Sequence, residues 1–549
     1  MQNSFVELKG RERALALLDK GSFTELLGPF DGMESPHLAP QGIVPESDDG
    51  MIIAKGTIGG QSAVILSIEG AFQGGGIGEV CGTKISASLE LALKDNKNGK
   101  KVIPVIIFDT GGVRLQEANY GLLIISEIQS AIVALREYVP VIGLIPGNVG
   151  SFGGMSITAA LCSELIMTNV ARFGLNGPEV IEQEAGVQEF NSRDRRLIWD
   201  TIGGNARFET GLVDQLVKDD IDEFKKAILK AVDKKKAVPR TQQIGRFLSL
   251  VNQLDPSKRN SKQDIIKLLE TQIKETPAIA DAKTPSRGRT WFKQFTQNAD
   301  SVSDFPSVLV ADISFFDQPT RFIAVVPNAS NRFPRAAHGE VGLQEGWVLA
   351  KYIRQAIEED AGKEIKRNIV AVIDVPSQAY GYNEELAGIH YACAASADAY
   401  ASARLAGHSV TGIIVGNAIS GAFLAHGLQS SRLIALNDKA INVQAMSKQS
   451  AARITKRSIA ELEEATRKVP AMAYDIHNYY SLGALDLLID GVNADDPTPE
   501  NVKEVSLKLI EAVNAGDRTL SRRLQTEPAV SKGRVSSIKV REKLAKQWN

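Results

Sequence analysis

The feature that most restricts the fold is a repeat. Short anchors return in the second half at nearly constant offset. "GEVCGTK" at Gly78 and "GEVGLQE" at Gly339 are 261 apart, Asp109 and Asp374 are 265 apart, and the segments around Asn148 ("PGNVGSFGGM") and Asn417 ("VGNAISGAFL") are 269 apart. Three separated anchors held in order point to two copies of one domain fold. In each copy, β-branched apolar runs alternate with helical patterns: 101–109, 115–138 and 139–147 in the first, 368–376, 384–407 and 408–417 in the second, with a further helix from 419. Strand, helix, strand in this order is an α/β signature whose strands are buried on both faces. A chain of 549 residues holds two such cores.

The texture changes between the copies. The stretch 233–243 is polar and basic, 254–275 has the pattern of a short surface helix, and 276–289 ("TPAIADAKTPSRGR") joins two prolines to small residues without periodicity. The expected division is a first domain over 1–275, a linker over 276–289, a second domain over 290–515 and a tail over 516–549. The tail carries nine Lys/Arg against three acids. It is expected as a solvated helical or disordered extension, with an acidic partner as its docking option.

Glycine weakens a helix, so small residues at the head of an apolar helix need a reason. Gly111 and Gly112 follow the strand ending at Asp109, and Gly153 and Gly154 stand in the first turn of the next helix. One reason is a tight turn with close packing. The other is that glycine leaves backbone N–H groups unobstructed, and the first N–H groups of a helix have no partner inside it and lie at its positive end. Two such turns on neighbouring strands aim amides at one point. Gly111, Gly112, Val113, Gly153, Gly154 and Met155 then form an oxyanion hole made of main chain. In the second copy, "DVPSQAYGYNEE" and "GNAISGAF" put the corresponding amides at Tyr380, Gly381, Gly421 and Ala422, while Pro376 has no N–H to give. Arg332, Arg335 and His338 cluster in the Pro-containing loop "NRFPRAAHGEVG", which is either a solvated loop or an anion site for a phosphate-bearing ligand.

Other chemistry is disfavoured. A net charge of −2 gives no global attraction to nucleic acid or membrane, and no run reaches the ~18 apolar residues of a membrane span. The first twenty residues lack the apolar core of a secretory signal, so a cytoplasmic location is expected. Cys81, Cys162 and Cys393 are far apart with no CxxC pair, and read as buried thiols. Five of six histidines (His338, His390, His408, His426, His477) fall in the second half without an HxH or HxxxH pair, so no metal site is expected. No GxSxG elbow is present, and Gly76, Gly78 and Gly82 do not have dinucleotide spacing. "AMSKQ" departs from a biotin-attachment motif at Ser447 and reads as a loop.

At these motifs the sequence resembles the carboxyltransferase branch of the crotonase-like (ClpP/crotonase) superfamily. "GGGIGEVCGTKI", "DTGGVRLQE" and "GSFGGMS" resemble the β-type carboxyltransferase segments, and "DVPSQAYGYNEE" and "GNAISGAFLA" the α-type. "FDTGGVRLQEANYGL", "NRFPRAAHGEVGLQEGW", "IDVPSQAYG", "SGAFLAHG" and "PAMAYDIHNYYSLG" resemble biotin-independent malonate decarboxylase, its β subunit over the first ~285 residues and its γ subunit from 287 to about 492. Residues beyond about 516 have no counterpart in this resemblance. It implies two tandem crotonase-like carboxyltransferase domains, a natural β–γ fusion. It also implies decarboxylation of a malonyl thioester on the CoA-like prosthetic arm of an acyl carrier protein, giving an acetyl thioester and CO2, with no covalently bound cofactor.

The implied partners are the carrier protein and an acyl-transferase (α) subunit, and a homo-oligomer is expected. The implied substrate contacts are Gly76, Gly78, Lys84, Arg114, Tyr120, Arg332, Arg335, His338 and Tyr380. The second-copy amides would hold the departing carboxylate, although Ser377 stands where the α-type pattern has glycine. The enolate's proton donor is open among Tyr120, Tyr380, His390 and water. The nearest alternative is a biotin-dependent acyl-CoA carboxyltransferase of the acetyl-CoA carboxylase type. A crotonase-type hydratase needs positioned carboxylates, for which Glu117 is the single candidate. A non-enzymatic carrier-docking scaffold is the remaining option.

Overall fold

Both repeats use one strand plan in the computed structural model, which describes residues 4–271 and 277–548. Of these, 4–239, 261–266 and 536–548 form unit 1; 240–260, 267–271 and 277–535 form unit 2. In unit 1, β1 (Thr24–Leu26), β2 (Met51–Ile58) and β3 (Gln61–Ile68) are antiparallel. Then β4 (Ile103–Ile107), β5 (Ile142–Ile145), β6 (Glu164–Thr168) and β7 (Gln215–Val217) add in parallel, in chain order. Every residue of β4, β5 and β6 is buried, which is why these strands read as unbroken apolar runs.

Helix α1 (Glu79–Lys97) packs on α2 (Ala118–Leu135), and α3 (Gly153–Ala160) follows β5. One expectation is corrected here. The segment Leu115–Leu135 does have the length and mean hydropathy (1.4) of a membrane span, but 94% of its most apolar window is buried inside the protein, as in a core helix.

Unit 2 repeats the plan. An antiparallel hairpin of β8 (Val308–Phe315) and β9 (Gln318–Val325) leads into parallel β10 (Asn368–Val375), β11 (Val410–Ile419) and β12 (Arg432–Leu436). Short β13 (Val443–Gln444) pairs β11, and β14 (Leu487–Ile489) pairs β12. Its main helices are α4 (Ile244–Gln253), α5 (Leu343–Glu359), α6 (Ile389–Leu405) and α7 (Ser420–Ala425). Phe247 of α4 stacks on Trp347 of α5 with ring centroids 4.7 Å apart, so the stretch 240–260 packs with unit 2 although it precedes the linker.

Four further expectations change. The helix expected over 384–407 is broken: Tyr382–Leu386 ends, Gly388 takes φ +84, and α6 begins. The linker has no regular structure from 277 to 285, but Ser286 caps a helix, Arg287–Phe295, that takes in its last residues. Thr276 lies outside the described residues, as do 272–275 of the surface helix, which forms over Lys262–Glu270. Residues 445–449 are not all loop, since Ser447 caps the helix Lys448–Ile454.

The tail is not a solvated extension. Arg523 is buried and donates to the carbonyls of Leu428 (2.6 Å) and Ser430 (3.1 Å). The last helix, Val535–Gln547, buries Ser537, Val540 and Leu544. Beyond it, Trp548 is buried and donates its indole N–H to Asp95 at 2.9 Å. Arg523 is placed by carbonyls more than ninety positions away and Trp548 by a side chain more than four hundred away, which a local charge count does not see.

Candidate functional site

The glycine turns of unit 1 stand at the C-terminal ends of adjacent strands β4 and β5, where α/β sheets place their ligands. Asp109, just past β4, accepts from Val149 N–H (2.9 Å) and pairs with Arg13 (2.8 Å), fixing the two strand ends together. The turns touch. Gly112 has φ +103, and a Cβ there would lie 2.9 Å from Phe152 O and 3.1 Å from Gly153 Cα. Gly153 has φ +56, and a Cβ there would lie 3.3 Å from Gly112 Cα and 3.9 Å from Val113 N. Glycine at 112 is therefore required by conformation and by space, and at 153 it is favoured by the left-handed angle and by a tight fit.

This approach decides which amides are available. Gly111 N–H donates to Gly74 O (2.8 Å), Gly153 N–H to Leu175 O (2.8 Å), and Gly112 N–H to the Thr110 hydroxyl (3.0 Å). Three of the six amides expected to face a ligand are thus engaged within the unit. The N–H groups of Val113, Gly154 and Met155 have no acceptor among the described residues. Val113 and Gly153 are partly exposed, so the point is open to solvent.

Unit 2 builds the same turn and then closes it. Asp374 accepts from Asn417 N–H (3.0 Å), as Asp109 does from Val149. Ser420 opens α7 with φ +57, matching Gly153 at the head of α3. The isolated bridge Ile77–Val113 has its counterpart in Val341–Gln378, which equates Gln378 with Val113 and corrects the first anchor: Gly78 corresponds to Gly342, which caps α5 as Gly78 caps α1, and not to Gly339. The Gln378 side chain accepts from Gly421 N–H at 3.0 Å. Gly421, the counterpart of Gly154, is therefore capped by its own unit, a correction to its expected role; Ala422 N–H keeps no acceptor among the described residues. Gly381 caps the short helix Tyr382–Leu386, beyond the turn formed by Ser377 and Gln378. Tyr380 is half-buried beside it.

Several expected substrate contacts are structural. Lys84 is buried and donates to Asp48 O (2.8 Å) and Met51 O (2.6 Å), and burial pushes its ammonium down to about 8. Arg114 is buried in ion pairs with Asp49 (2.6 Å) and Glu117 (2.8 Å). Gly76 leaves room for Arg114 Cα, 3.0 Å from where a Cβ would stand, and Gly78 leaves room for the Glu117 carboxylate. His390 is fully buried in α6. Arg332 donates to Leu254 O (2.9 Å), Arg335 is half-buried, and His338 is exposed, 3.4 Å from Glu340.

Sequence reading missed a charged cluster behind the unit 1 turn. Burial pushes Asp49 up to about 6. Burial also acts to raise Glu117, but Arg114, His37 and the Glu79 amide outweigh it and hold that carboxyl low. His37 Nε2 lies 2.6 Å from Glu79, and its ring stacks on Tyr120 with centroids 4.8 Å apart. Burial lowers the imidazole's pKa, but Glu79, Glu117 and Asp49 raise it further, so the net shift is upward. His37 is the sixth histidine, the one the metal-motif search left aside. Its signal lies in the "SPH" loop and a carboxylate 42 positions on. Among the described residues no cluster of three His, Cys, Asp or Glu is arranged to hold a metal ion.

Comparison with known proteins divides the chain near the linker. Residues 7–276 match the carboxyl transferase domain, and 336–548 match the malonate decarboxylase gamma subunit. The second match runs through the last helix, so the tail does have a family counterpart. Malonyl-S-ACP:biotin-protein carboxyltransferase MADC of Malonomonas rubra is 43% identical over 241 residues, 42% of this chain and 76% of that protein. MADD of the same organism is 35% identical over 209 residues, 37% of this chain and 72% of that protein. One chain of a Pseudomonas malonate decarboxylase hetero-tetramer solved with malonate is 51% identical to this chain, the match covering 49% of this chain and 97% of that one, with a TM-score of 0.48. The chain is an enzyme of the malonate decarboxylase carboxyltransferase family, with its β-type and γ-type halves on one polypeptide.

Proposed function

We propose that the chain removes CO2 from a malonyl thioester on an acyl carrier protein, leaving the acetyl thioester, and that unit 1 stabilises the enolate. The observation that carries this reading is the set of open amides at Val113, Gly154 and Met155, left beside two touching turns. When the carboxyl departs, negative charge moves onto the thioester oxygen. Fixed donors aimed at that oxygen do not need to reorganise, and one well-placed donor is worth about 3–4 kcal/mol of barrier. The malonyl-S-ACP in the names of the two Malonomonas relatives supports a carrier-bound substrate. A separate acyl-transferase subunit would reload malonyl onto the carrier.

Those same names favour a second reading, transfer of the carboxyl to a biotin protein. Both are tested with malonyl-loaded carrier protein labelled only in the free carboxyl group. Label released as CO2 without any biotin protein is the expected result. Label that appears only on an added biotinyl protein selects the second reading, and label that stays on the carrier in both arms overturns both.

A further inference from the structure

A segment of γ-type sequence is built into the β-type unit. The gamma-subunit match runs to 548, yet residues 536–548 belong to unit 1, the unit of the carboxyl transferase match. Ser537, Val540, Leu544 and Trp548 recur at helical spacing and are all buried, so one face of the last helix is seated.

The seat is chemically matched to it. Glu79, Thr83, Ser86 and Glu90 form one stripe along α1. Glu79 accepts from the backbone N–H (3.0 Å) and hydroxyl (2.9 Å) of Ser537, and the Thr83 hydroxyl donates to Ser537 Oγ at 3.2 Å. Arg541 donates to the Ser86 hydroxyl (3.3 Å), to Glu90 (2.8 Å) and, on α2, to Glu127 (3.2 Å). At the far end the Lys55 ammonium stands 4.3 Å from the Trp548 ring centroid. A polar, acidic stripe is the face of a surface helix, yet Glu79, Thr83 and Ser86 are buried, each bonded to the tail.

From this seat, bonds lead to the unit 1 turn. Glu79 N–H donates to Glu117 (3.0 Å), and Glu117 pairs with Arg114 (2.8 Å). Two residues before Glu79, Ile77 donates its N–H to Gly112 O (2.8 Å) and accepts from Arg114 N–H (2.9 Å). Both bonds leave the same side of the extended backbone, so the Val113 N–H between them points the other way. The segment 77–79 thus holds the turn from behind and leaves its amide open.

We propose that the last helix is a docking element that completes unit 1: the turn of the β-type unit keeps its working geometry only while a basic amphipathic helix of γ-type sequence is seated on α1. The occupant is this chain's own segment 535–548. The inference rests on the malonyl thioester reading for its activity readout alone, since docking is read separately.

The test uses full-chain variants. Leu544→Asp puts a charge on the seated face, and Ala545→Asp puts the same charge on its exposed neighbour. Leu544→Asp should lower kcat for CO2 release from malonyl-loaded carrier by up to about 100-fold, the cost of misplacing a group by ~1 Å. Hydrogen-exchange protection should fall at 112–117 and at the start of α1, while β10 of unit 2 keeps its protection. A synthetic peptide of residues 535–548 should bind this variant but not the parent, whose seat is filled, and should restore both readouts. Ala545→Asp should behave as the parent. A folded Leu544→Asp chain that keeps kcat and protection within about threefold of the parent, an equal loss in Ala545→Asp, or a peptide that does not distinguish variant from parent overturns the proposal. If Leu544→Asp does not fold, Trp548→Ala, which removes the end anchor, decides by the same readouts. A parent chain that releases no CO2 overturns the decarboxylase reading instead, and exchange and peptide binding still decide the docking.

Discussion

The two units build one turn and treat it in opposite ways. In unit 1, Val113 offers an apolar side chain and Gly154 N–H stays open; in unit 2, the matching Gln378 folds its amide oxygen onto the matching Gly421 N–H. The strand ends are braced by the same aspartate, and the helices that follow begin with the same left-handed residue, Gly153 or Ser420. A conserved scaffold therefore does not carry a conserved site. One side chain decides whether the turn's amide faces a ligand or its own chain.

The brace offers the largest contrast. Asp109 pairs with buried Arg13, whereas among the described residues Asp374 accepts only main-chain N–H groups, from Asn417 and Gly288. Breaking a buried ion pair leaves an unpaired charge and costs about 3–5 kcal/mol, while losing a carboxylate that accepts neutral amides costs about 1–3. Asp109→Ala should therefore weaken unit 1 more than Asp374→Ala weakens unit 2. Hydrogen exchange at β4 and β10 reads each unit separately. Equal losses would mean that the Arg13 pair adds nothing to the brace.

The comparison is broken directly by exchanging Val113 and Gln378. Val113→Gln should let unit 1 cap its own Gly154 amide and lower turnover about 10²–10³-fold, the cost of losing one oxyanion donor. The melting temperature should hardly change, because position 113 is partly exposed. Gln378→Val opens the unit 2 turn and should change turnover far less. A Val113→Gln chain with full activity removes the oxyanion role from this turn.

Much of this was legible in the sequence and some was not. The repeat, the strand–helix alternation and the turn positions follow from periodicity and from glycine placement. Which amide stays open depends on Gly74 O, Leu175 O and the Thr110 hydroxyl, two of them contributed by distant segments. No local pattern encodes that. The tail misled for a related reason. A run rich in Arg and Lys reads as solvated, yet Arg523 is buried against carbonyls and Ser537 reaches Glu79. Gln378 was visible as a letter, but its effect needs the register of the Val341 bridge.

Acid separates one unit further. His426 is fully buried in unit 2, bonded to Tyr400 (2.9 Å) and Val372 O (3.0 Å), and burial holds its imidazole down to about 4. The unfolded chain binds this proton near pH 6.5, so the unfolded state holds more protons between about pH 6.5 and 4. Stability is complete above that window and falls as pH drops through it, by on the order of 3 kcal/mol at the acid end. Hydrogen-exchange protection factors in β10 and β11, which divide out the intrinsic pH dependence of exchange, should fall across this range. In His426→Gln this acid-dependent component should disappear; an unchanged pH slope would place the acid sensitivity elsewhere.

The smallest effect tests the left-handed residue itself. Ser420 at φ +57 bears a conformational cost of about 1–2 kcal/mol that glycine avoids, against about 0.5–1 kcal/mol for glycine's greater freedom when unfolded. Ser420→Gly should therefore stabilise unit 2 by about 0.5–1 kcal/mol, visible as slower exchange in β11 and α7. Gly153→Ser makes the reverse change in unit 1. It adds the same cost and sets a Cβ 3.3 Å from Gly112 Cα, so its penalty should exceed the gain from Ser420→Gly. The difference between the two is the space that Gly112 takes from unit 1. If the two substitutions proved equal and opposite, backbone angle alone would account for glycine at 153, and the close approach of the two turns would contribute nothing to that choice.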